Sequence, residues 1–177
     1  MKINTNIFIP LIFLILLIIS RMLSDIPNFT PTISLVIFAG FYMQNRISAA
    51  SVVLFSQLIS DFFIGFYDSM IFVYMALIFI VYLSPIIIRK LNVVSVVAAS
   101  TLSPSIFFIV SNFGVWFLMD LYPSNFDGLL SCYIAGIPFF KYSLISTILF
   151  SLTILVCHRI IKENSVTKSP KIPVRDK

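Results

Sequence analysis

The chain has 177 residues, of which 59% are hydrophobic and 11% are charged, whereas a soluble domain carries roughly 25% charged residues. Its mean hydropathy is +1.06 and its formal net charge is +5. A soluble fold of this size cannot hide so much apolar surface, because a large part of any small domain stays in contact with water. The composition therefore argues against a cytosolic enzyme, a nucleic-acid-binding protein and a disordered chain, and it places most of the sequence in a lipid bilayer.

Six apolar segments, separated by polar or proline-containing turns, predict an all-α membrane protein with six transmembrane helices. A helix needs about 20 residues to cross the hydrocarbon core of a bilayer. The predicted spans cover residues 6–23, 32–44, 47–66, 70–88, 93–119 and 139–160. They form one transmembrane domain over residues 1–161, and the polar residues 162–177 are predicted to be a disordered basic cytoplasmic tail.

Three of these segments have features of their own. The first is predicted to be a retained helix rather than a signal peptide, because no small-x-small cleavage site follows it. The second is short for a full span and follows a loop over residues 24–31 that contains two prolines. Residues 120–138 are predicted to be a loop or an interfacial segment, so that the sixth helix begins at Phe139.

The charged residues predict the orientation of the helices. If the N-terminus is cytoplasmic, ten of the twelve Lys and Arg residues lie on the cytoplasmic side, and the outer loops contain aspartates but no Lys or Arg. Cytoplasmic loops of membrane proteins are enriched in Lys and Arg. We therefore predict that both ends of the chain are cytoplasmic. The net charge of +5 then reflects basic residues that set the orientation in the membrane, and it does not indicate binding of nucleic acid.

Three ionisable residues do not fit this simple sorting of charge into loops: Arg21, Asp61 and Lys141. All three map to the outer half of the predicted bundle. Charges at membrane depth are costly and usually face a protein interior or a cavity, together with a partner. Asp61 is within plausible reach of Arg21 or of Lys141, although both basic side chains could instead extend to the headgroups. A closed Arg21–Asp61 pair with no cavity beside it would argue against a binding site.

Other polar and aromatic residues map to the same level of the predicted bundle. Asn112 lies inside an apolar helix, where its amide needs partners. Trp116 follows it one turn later, and Asn28 and Tyr133 lie in predicted loops. Interfacial Trp and Tyr residues are also ordinary anchors in an aromatic belt. As a group, however, these residues predict an outward pocket for a small, partly planar solute.

The sequence lacks the residue patterns of an enzyme or of a metal site. His158 is the only histidine and is predicted to lie at the cytoplasmic boundary. No His-x-x-x-His pair, Ser/His pair or Cys/His cluster is predicted on one helix face, so metal-assisted hydrolysis and nucleophilic catalysis both lack their groups. We therefore expect no catalytic activity, no metal and no cofactor.

Several motifs, in order along the chain, resemble those of a family of uncharacterised bacterial integral membrane proteins. They are Arg21, Pro27-Asn28-Phe29-Thr30-Pro31, Asp61 before Gly65-Phe66-Tyr67, Phe72-Val73-Tyr74, Ser111-Asn112-Phe113-Gly114-Val115-Trp116, Tyr122-Pro123 and the run from Cys132 to Phe140. More distantly, the helix count, the orientation and the short second helix are similar to the substrate-binding S components of energy-coupling factor (ECF) vitamin transporters. S components often carry an Ala-x-x-x-Ala surface on their first helix, and the first predicted helix here has no alanine.

The resemblance implies a six-helix S-component-like bundle in the bacterial inner membrane that takes up a micronutrient or vitamin. Such a protein is a passive partner of a transmembrane coupling subunit and ATPases, and this sequence has no Gly-x-x-x-x-Gly-Lys-Ser/Thr phosphate loop of its own. The candidate substrate-binding residues are Arg21, Asn28, Asp61, Tyr74, Asn112, Trp116, Tyr133 and Lys141, with Pro27, Phe29, Thr30 and Pro31 as a gate loop. Two alternatives are a stand-alone facilitator or ion-coupled carrier in which Asp61 titrates, and a structural or assembly protein without a ligand.

Overall fold

A computed structural model describes residues 5–22 and 26–167, and its regular structure is entirely helical. The helices are α1 (Thr5–Met22), α2 (Thr32–Tyr42), α3 (Arg46–Ile64), α4 (Met70–Ile87), α5 (Val93–Leu118) and α6 (Phe126–Thr167). The first five agree with the predicted spans to within two residues at each end. Polar side chains mark two of the starts: Asn45 accepts hydrogen bonds from the N–H groups of α3, and Asn92 forms a capping box with Ser95 on α5.

The sixth helix differs from its prediction at both ends. It begins at Phe126 rather than at Phe139, so residues 126–138 of the segment predicted to be a loop or an interfacial segment are helical, whereas residues 120–125 are not. Asn125 supports this start, because its Oδ1 accepts a hydrogen bond from the N–H of Gly128 at 2.8 Å. Pro138 lies inside the helix, which α6 tolerates while packing against α5.

The far end of α6 extends to Thr167, into the segment predicted to be a disordered tail. The rest of that tail, residues 168–177, lies outside the described residues. At about 1.5 Å per residue, a helix of this length measures roughly 60 Å, about twice the thickness of a bilayer core. Part of α6 therefore extends beyond the hydrocarbon region.

Helix α2 is the centre of the bundle. It contacts each of the other five helices, and all of its residues from Thr32 to Gly40 are buried. It carries no charged residue, and a helix without a charged face packs on all sides. Gly40 allows a close approach to α4, because a side chain there would overlap the carbonyl oxygen of Val81. Around α2, contacts join α1 to α3, α3 to α4, α4 to α5 and α5 to α6.

The surface of the bundle is strongly apolar. On α3, the side chains of Phe55, Phe62 and Phe63 are each more than half exposed, an arrangement that suits lipid better than water. Helices α3, α4, α5 and α6 are long and apolar enough to cross a membrane, and α1 and α2 are shorter apolar helices. The chain thus has the properties of a multi-pass membrane protein.

Buried hydroxyl groups join α2 to α6. Ser34 Oγ donates a hydrogen bond to the carbonyl oxygen of Thr147 at 2.9 Å, and Ser151 Oγ donates to Ser34 Oγ at 3.1 Å. Thr147 Oγ1 donates to the carbonyl oxygen of Ser143 at 2.6 Å. We call Ser34, Thr147 and Ser151 the α2–α6 hydroxyl cluster. All three residues are fully buried and each hydroxyl has a partner, so this cluster holds two helices together without offering a group to a ligand.

Candidate functional site

An ion pair between α1 and α3 forms the polar centre of the candidate site. Arg21 lies in the last turn of α1, and its Nη2 is 2.5 Å from Asp61 Oδ1. Its Nη1 donates a hydrogen bond to Gln57 Oε1. Gln57 and Asp61 are four residues apart on α3 and therefore share one helix face. From α4, the hydroxyl of Tyr74 donates to Asp61 Oδ2 at 2.6 Å.

Each charge in this group is balanced within the group. Asp61 is fully buried, and both of its carboxylate oxygens accept a hydrogen bond. Arg21 is 17% exposed and neutralises it at close range. Of the two basic partners that the sequence left open for Asp61, the structure therefore selects Arg21, and Lys141 is exposed on α6. We call Arg21, Gln57, Asp61 and Tyr74 the Arg21 cluster.

A cavity of about 480 Å³ lies directly beside the Arg21 cluster. All six helices and the loop between α1 and α2 contribute to its wall, and Arg21 and Gln57 line it. Hydroxyl side chains around it are those of Thr30, Thr32, Ser69, Ser111, Ser143 and Ser146. Apolar side chains on the wall include Val73, Leu77, Phe107 and Phe139. Its volume falls within the range of small-molecule sites, about 300–1,000 Å³, and its wall mixes apolar and polar groups as such sites do.

The loop before α2 holds the four predicted gate residues and the predicted binding residue Asn28, and these divide into two groups. Pro27, Asn28 and Thr30 line the cavity. Phe29 and Pro31 do not line it, and Pro31 directly precedes α2. Because Pro27 and Asn28 are also exposed, this loop forms the mouth of the cavity.

Contacts with α6 hold this loop in place. Asn28 has a positive φ of 60°, a left-handed conformation that Asn adopts more readily than most residues. Its carbonyl oxygen accepts a hydrogen bond from Ser146 Oγ at 3.4 Å. The ring of Phe29 packs against that of Phe150, with centroids 6.1 Å apart. The loop thus connects α1 to α6, two helices that are not in direct contact within the described part of the chain.

Five predicted binding residues do not line the cavity. Asp61 and Tyr74 belong to the Arg21 cluster beside it, and the other three make other contacts. Trp116 donates its indole N–H to the carbonyl oxygen of Pro123 at 3.0 Å. Tyr133 donates its hydroxyl to the carbonyl oxygen of Ile109 at 2.8 Å, which joins α6 to α5. Lys141 is exposed. None of the three lines the cavity wall, so their contacts are with the protein itself or with its surroundings.

Asn112 and Gln57 both line the cavity but differ in their hydrogen bonds. Asn112 Nδ2 donates to the carbonyl oxygen of Phe108 at 2.8 Å, within its own helix. Gln57 is 1% exposed, and its Nε2 has no hydrogen-bond partner among the described residues. Sequence reasoning missed Gln57. The available signal was an amide inside a predicted span, where an unpaired polar group is costly.

Tyr67 adds a further polar group to the wall. It lies between α3 and α4 and lines the cavity. Burial raises the pKa of its hydroxyl; the negative charge of Asp61 adds to this effect, and Arg21 opposes it. The hydroxyl therefore stays protonated at neutral pH and can both donate and accept a hydrogen bond.

A second cavity, of about 460 Å³, lies at the opposite end of the bundle. Its wall includes Tyr42, Gln44 and Asn45. Nearby, the hydroxyl of Tyr42 shares a hydrogen bond of 2.7 Å with Nδ1 of His158, which the sequence had placed at the cytoplasmic boundary. None of the described residues on this wall has a buried side-chain group without a partner. This cavity therefore lacks an unpaired buried donor such as the Gln57 amide nitrogen of the first cavity.

Comparison with known families assigns the chain to one of them. The chain belongs to the DUF6580 family, described as a family of unknown function, whose model matches residues 1–170. No curated protein and no solved structure matches the chain. The similarity to S components is therefore still a prediction from the sequence.

Proposed function

We propose that this member of the DUF6580 family captures a small solute, as the S-component-like substrate-binding subunit of a micronutrient or vitamin uptake transporter. The observation that carries the proposal is the cavity of about 480 Å³ beside the Arg21–Asp61 pair. A pair enclosed by packed side chains would only hold helices together. Here Arg21 and Gln57 both line the cavity, which favours a binding role over a purely structural one.

The chemistry of the wall suits a small, partly planar solute. Phe107 and Phe139 supply flat apolar surfaces on α5 and α6. Gln57, Asn112 and the surrounding hydroxyl groups supply fixed hydrogen-bonding positions. A few such polar groups in a mainly apolar wall orient a ligand and distinguish it from others of similar size.

The distribution of charge supports an outward-facing cavity. The α1–α2 loop lies at its mouth, at the end of the bundle that carries no basic loop. By the enrichment of Lys and Arg on the cytoplasmic side, this end faces outwards from the bacterial inner membrane. The chain is then a passive capture subunit, and uptake draws its energy from a separate ATPase module that binds this protein through a transmembrane coupling subunit.

Native mass spectrometry of the protein purified from its own membranes tests capture. Wild type is compared with Ser111→Phe, which places a ring in the cavity, and with Thr101→Phe, which places the same ring on an exposed position of the same helix. We expect a small molecule to accompany wild type and Thr101→Phe and to be absent from Ser111→Phe. Equal retention by all three, or no retained molecule in any, would contradict the proposal.

A second experiment separates a subunit from a stand-alone carrier. The molecule identified by mass spectrometry is offered to liposomes that contain this chain alone, and to vesicles from the native membrane supplied with ATP. We expect ATP-dependent accumulation in the native vesicles and none in the liposomes. Uptake by the chain alone, abolished by Asp61→Asn, would instead favour an ion-coupled carrier. The close Arg21–Asp61 pair argues against that reading, since both carboxylate oxygens already accept hydrogen bonds within the protein.

A further inference from the structure

The side-chain amide of Gln57 is a buried donor without an acceptor. Its Oε1 accepts a hydrogen bond from Arg21, while its Nε2 has no partner among the described residues. Gln57 is 1% exposed and lines the cavity. Leaving a buried donor unpaired is unfavourable, so a group that fills the cavity gains most by offering this amide an acceptor. A carbonyl oxygen or an aromatic ring nitrogen is such an acceptor.

The charge of the wall limits the ligand further. Arg21 is the one charged side chain among the described residues that line the cavity. Its charge is already balanced by Asp61 at 2.5 Å. A ligand with a net charge would therefore leave water for a site without an uncompensated opposite charge, which is costly. An uncharged ligand avoids this cost.

We infer that the ligand is an uncharged, partly planar molecule whose carbonyl or ring-nitrogen acceptor binds Gln57 Nε2. The inference rests on the proposed function, since it describes the substrate of the same cavity. Arg21 lines the cavity beside Gln57, and its guanidinium group already contacts Gln57, Asp61 and Tyr67, so Gln57 Nε2 is the donor left for the ligand. The aromatic side chains on the wall then contact the flat faces of the molecule.

Three probes of similar shape and different charge test this inference. Benzamide is neutral, benzoate is an anion and benzamidine is a cation at neutral pH. Binding of each to purified full-length wild type in lipid nanodiscs is measured by saturation-transfer NMR at millimolar concentrations. We expect benzamide to bind at least about tenfold more tightly than either charged probe, because each charged probe would be buried without an uncompensated opposite charge.

A charge-changing variant makes the test independent of loss of folding. Gln57→Glu keeps the length of the side chain but gives the site a net negative charge, so we expect it to favour benzamidine over benzamide. Gln44→Glu makes the same change at an exposed position at the other end of the bundle, and should keep the wild-type preference. Ser111→Phe should abolish binding of all three probes.

Four outcomes would overturn the inference: a wild-type preference for benzoate, a wild-type preference for benzamidine, no binding of any probe, or an unchanged preference in Gln57→Glu. None of these by itself removes the proposed function, which fails when no small molecule is displaced by Ser111→Phe in the mass-spectrometric experiment. The two results are read from different measurements and can be told apart.

Discussion

Two buried polar groups in this bundle differ in what they leave unpaired. In the α2–α6 hydroxyl cluster, every hydroxyl of Ser34, Thr147 and Ser151 has a partner. In the Arg21 cluster, the carboxylate is fully paired, but the amide nitrogen of Gln57 is not, and a cavity lies beside it. The first cluster is complete within the protein. The second leaves the Gln57 amide nitrogen without an acceptor from the described residues, and a ligand could supply one.

The difference shows how buried polarity in a membrane protein can indicate either packing or binding. Between helices in lipid, hydroxyl groups commonly hydrogen-bond across the interface and stabilise it modestly. The amide nitrogen of Gln57 has no such role, since it forms no hydrogen bond between helices within the described part of the chain. An unpaired buried donor on a residue that lines a cavity is therefore a better sign of a ligand site than the presence of polar residues in a transmembrane helix.

The largest expected effect comes from breaking the ion pair. Asp61→Leu leaves Arg21 without its counter-charge, and we expect a loss of about 3 kcal/mol in the free energy of unfolding. Titration with sodium dodecyl sulfate in mixed micelles measures this loss. The double variant Arg21→Met with Asp61→Leu removes both charges and should recover most of the stability. Equal destabilisation by the single and double variants would show that the pair is not what holds these helices.

A smaller effect is expected when the second partner of the carboxylate is removed. Tyr74→Phe deletes the hydroxyl that donates to Asp61 Oδ2 at 2.6 Å. Hydrogen bonds to charged groups contribute about 1.5 kcal/mol or somewhat more, and we expect a loss near that value in the same titration. Tyr82→Phe removes a hydroxyl from an exposed position on the same helix and should have little effect. Similar losses in the two variants would contradict the assigned role of Tyr74.

The hydroxyl cluster should affect stability without affecting binding. Ser34→Ala removes the donor to Thr147 and the acceptor of Ser151, and we expect a loss of about 1 kcal/mol. Benzamide binding, measured by saturation-transfer NMR, should be unchanged. Gln57→Leu should weaken binding, and it should also lower stability because it removes the acceptor of the Arg21 Nη1 hydrogen bond. If Ser34→Ala weakened binding as strongly as Gln57→Leu, the distinction between the two clusters would be wrong.

The smallest effect is expected at the third charge that the sequence singled out. Lys141 is exposed and does not line the cavity. Lys141→Gln should therefore change the free energy of unfolding by less than about 0.5 kcal/mol and leave benzamide binding unchanged. Arg21→Gln, the same change at the paired charge, serves as the comparison and should reduce both. A binding defect in Lys141→Gln would show that Lys141 contributes to the binding site.

The bounds of five helices could be predicted because charges, prolines and caps interrupt apolar runs at their ends. The start of α6 could not, since Pro138 and Asp127 resemble the residues of a loop, and packing against α5 stabilises the helix through both. The proximity of Arg21 and Asp61 could be proposed from the cost of burying each charge. The role of Gln57 could not, because it depends on which of its two polar atoms Arg21 contacts, and on the cavity beside the other.

Labelling of single cysteines in intact cells tests most directly whether the Arg21 cluster, unlike the hydroxyl cluster, faces a site open to solutes. In a background with Cys132 and Cys157 replaced by Ser, the variants Ser111→Cys and Ser151→Cys place one thiol in each region. Their reaction rates with a membrane-impermeant thiosulfonate reagent are then measured with and without benzamide. We predict rapid reaction of Ser111→Cys that benzamide slows, and negligible reaction of Ser151→Cys. Equal rates at both positions, or a rate at Ser111→Cys that benzamide does not change, would contradict the account.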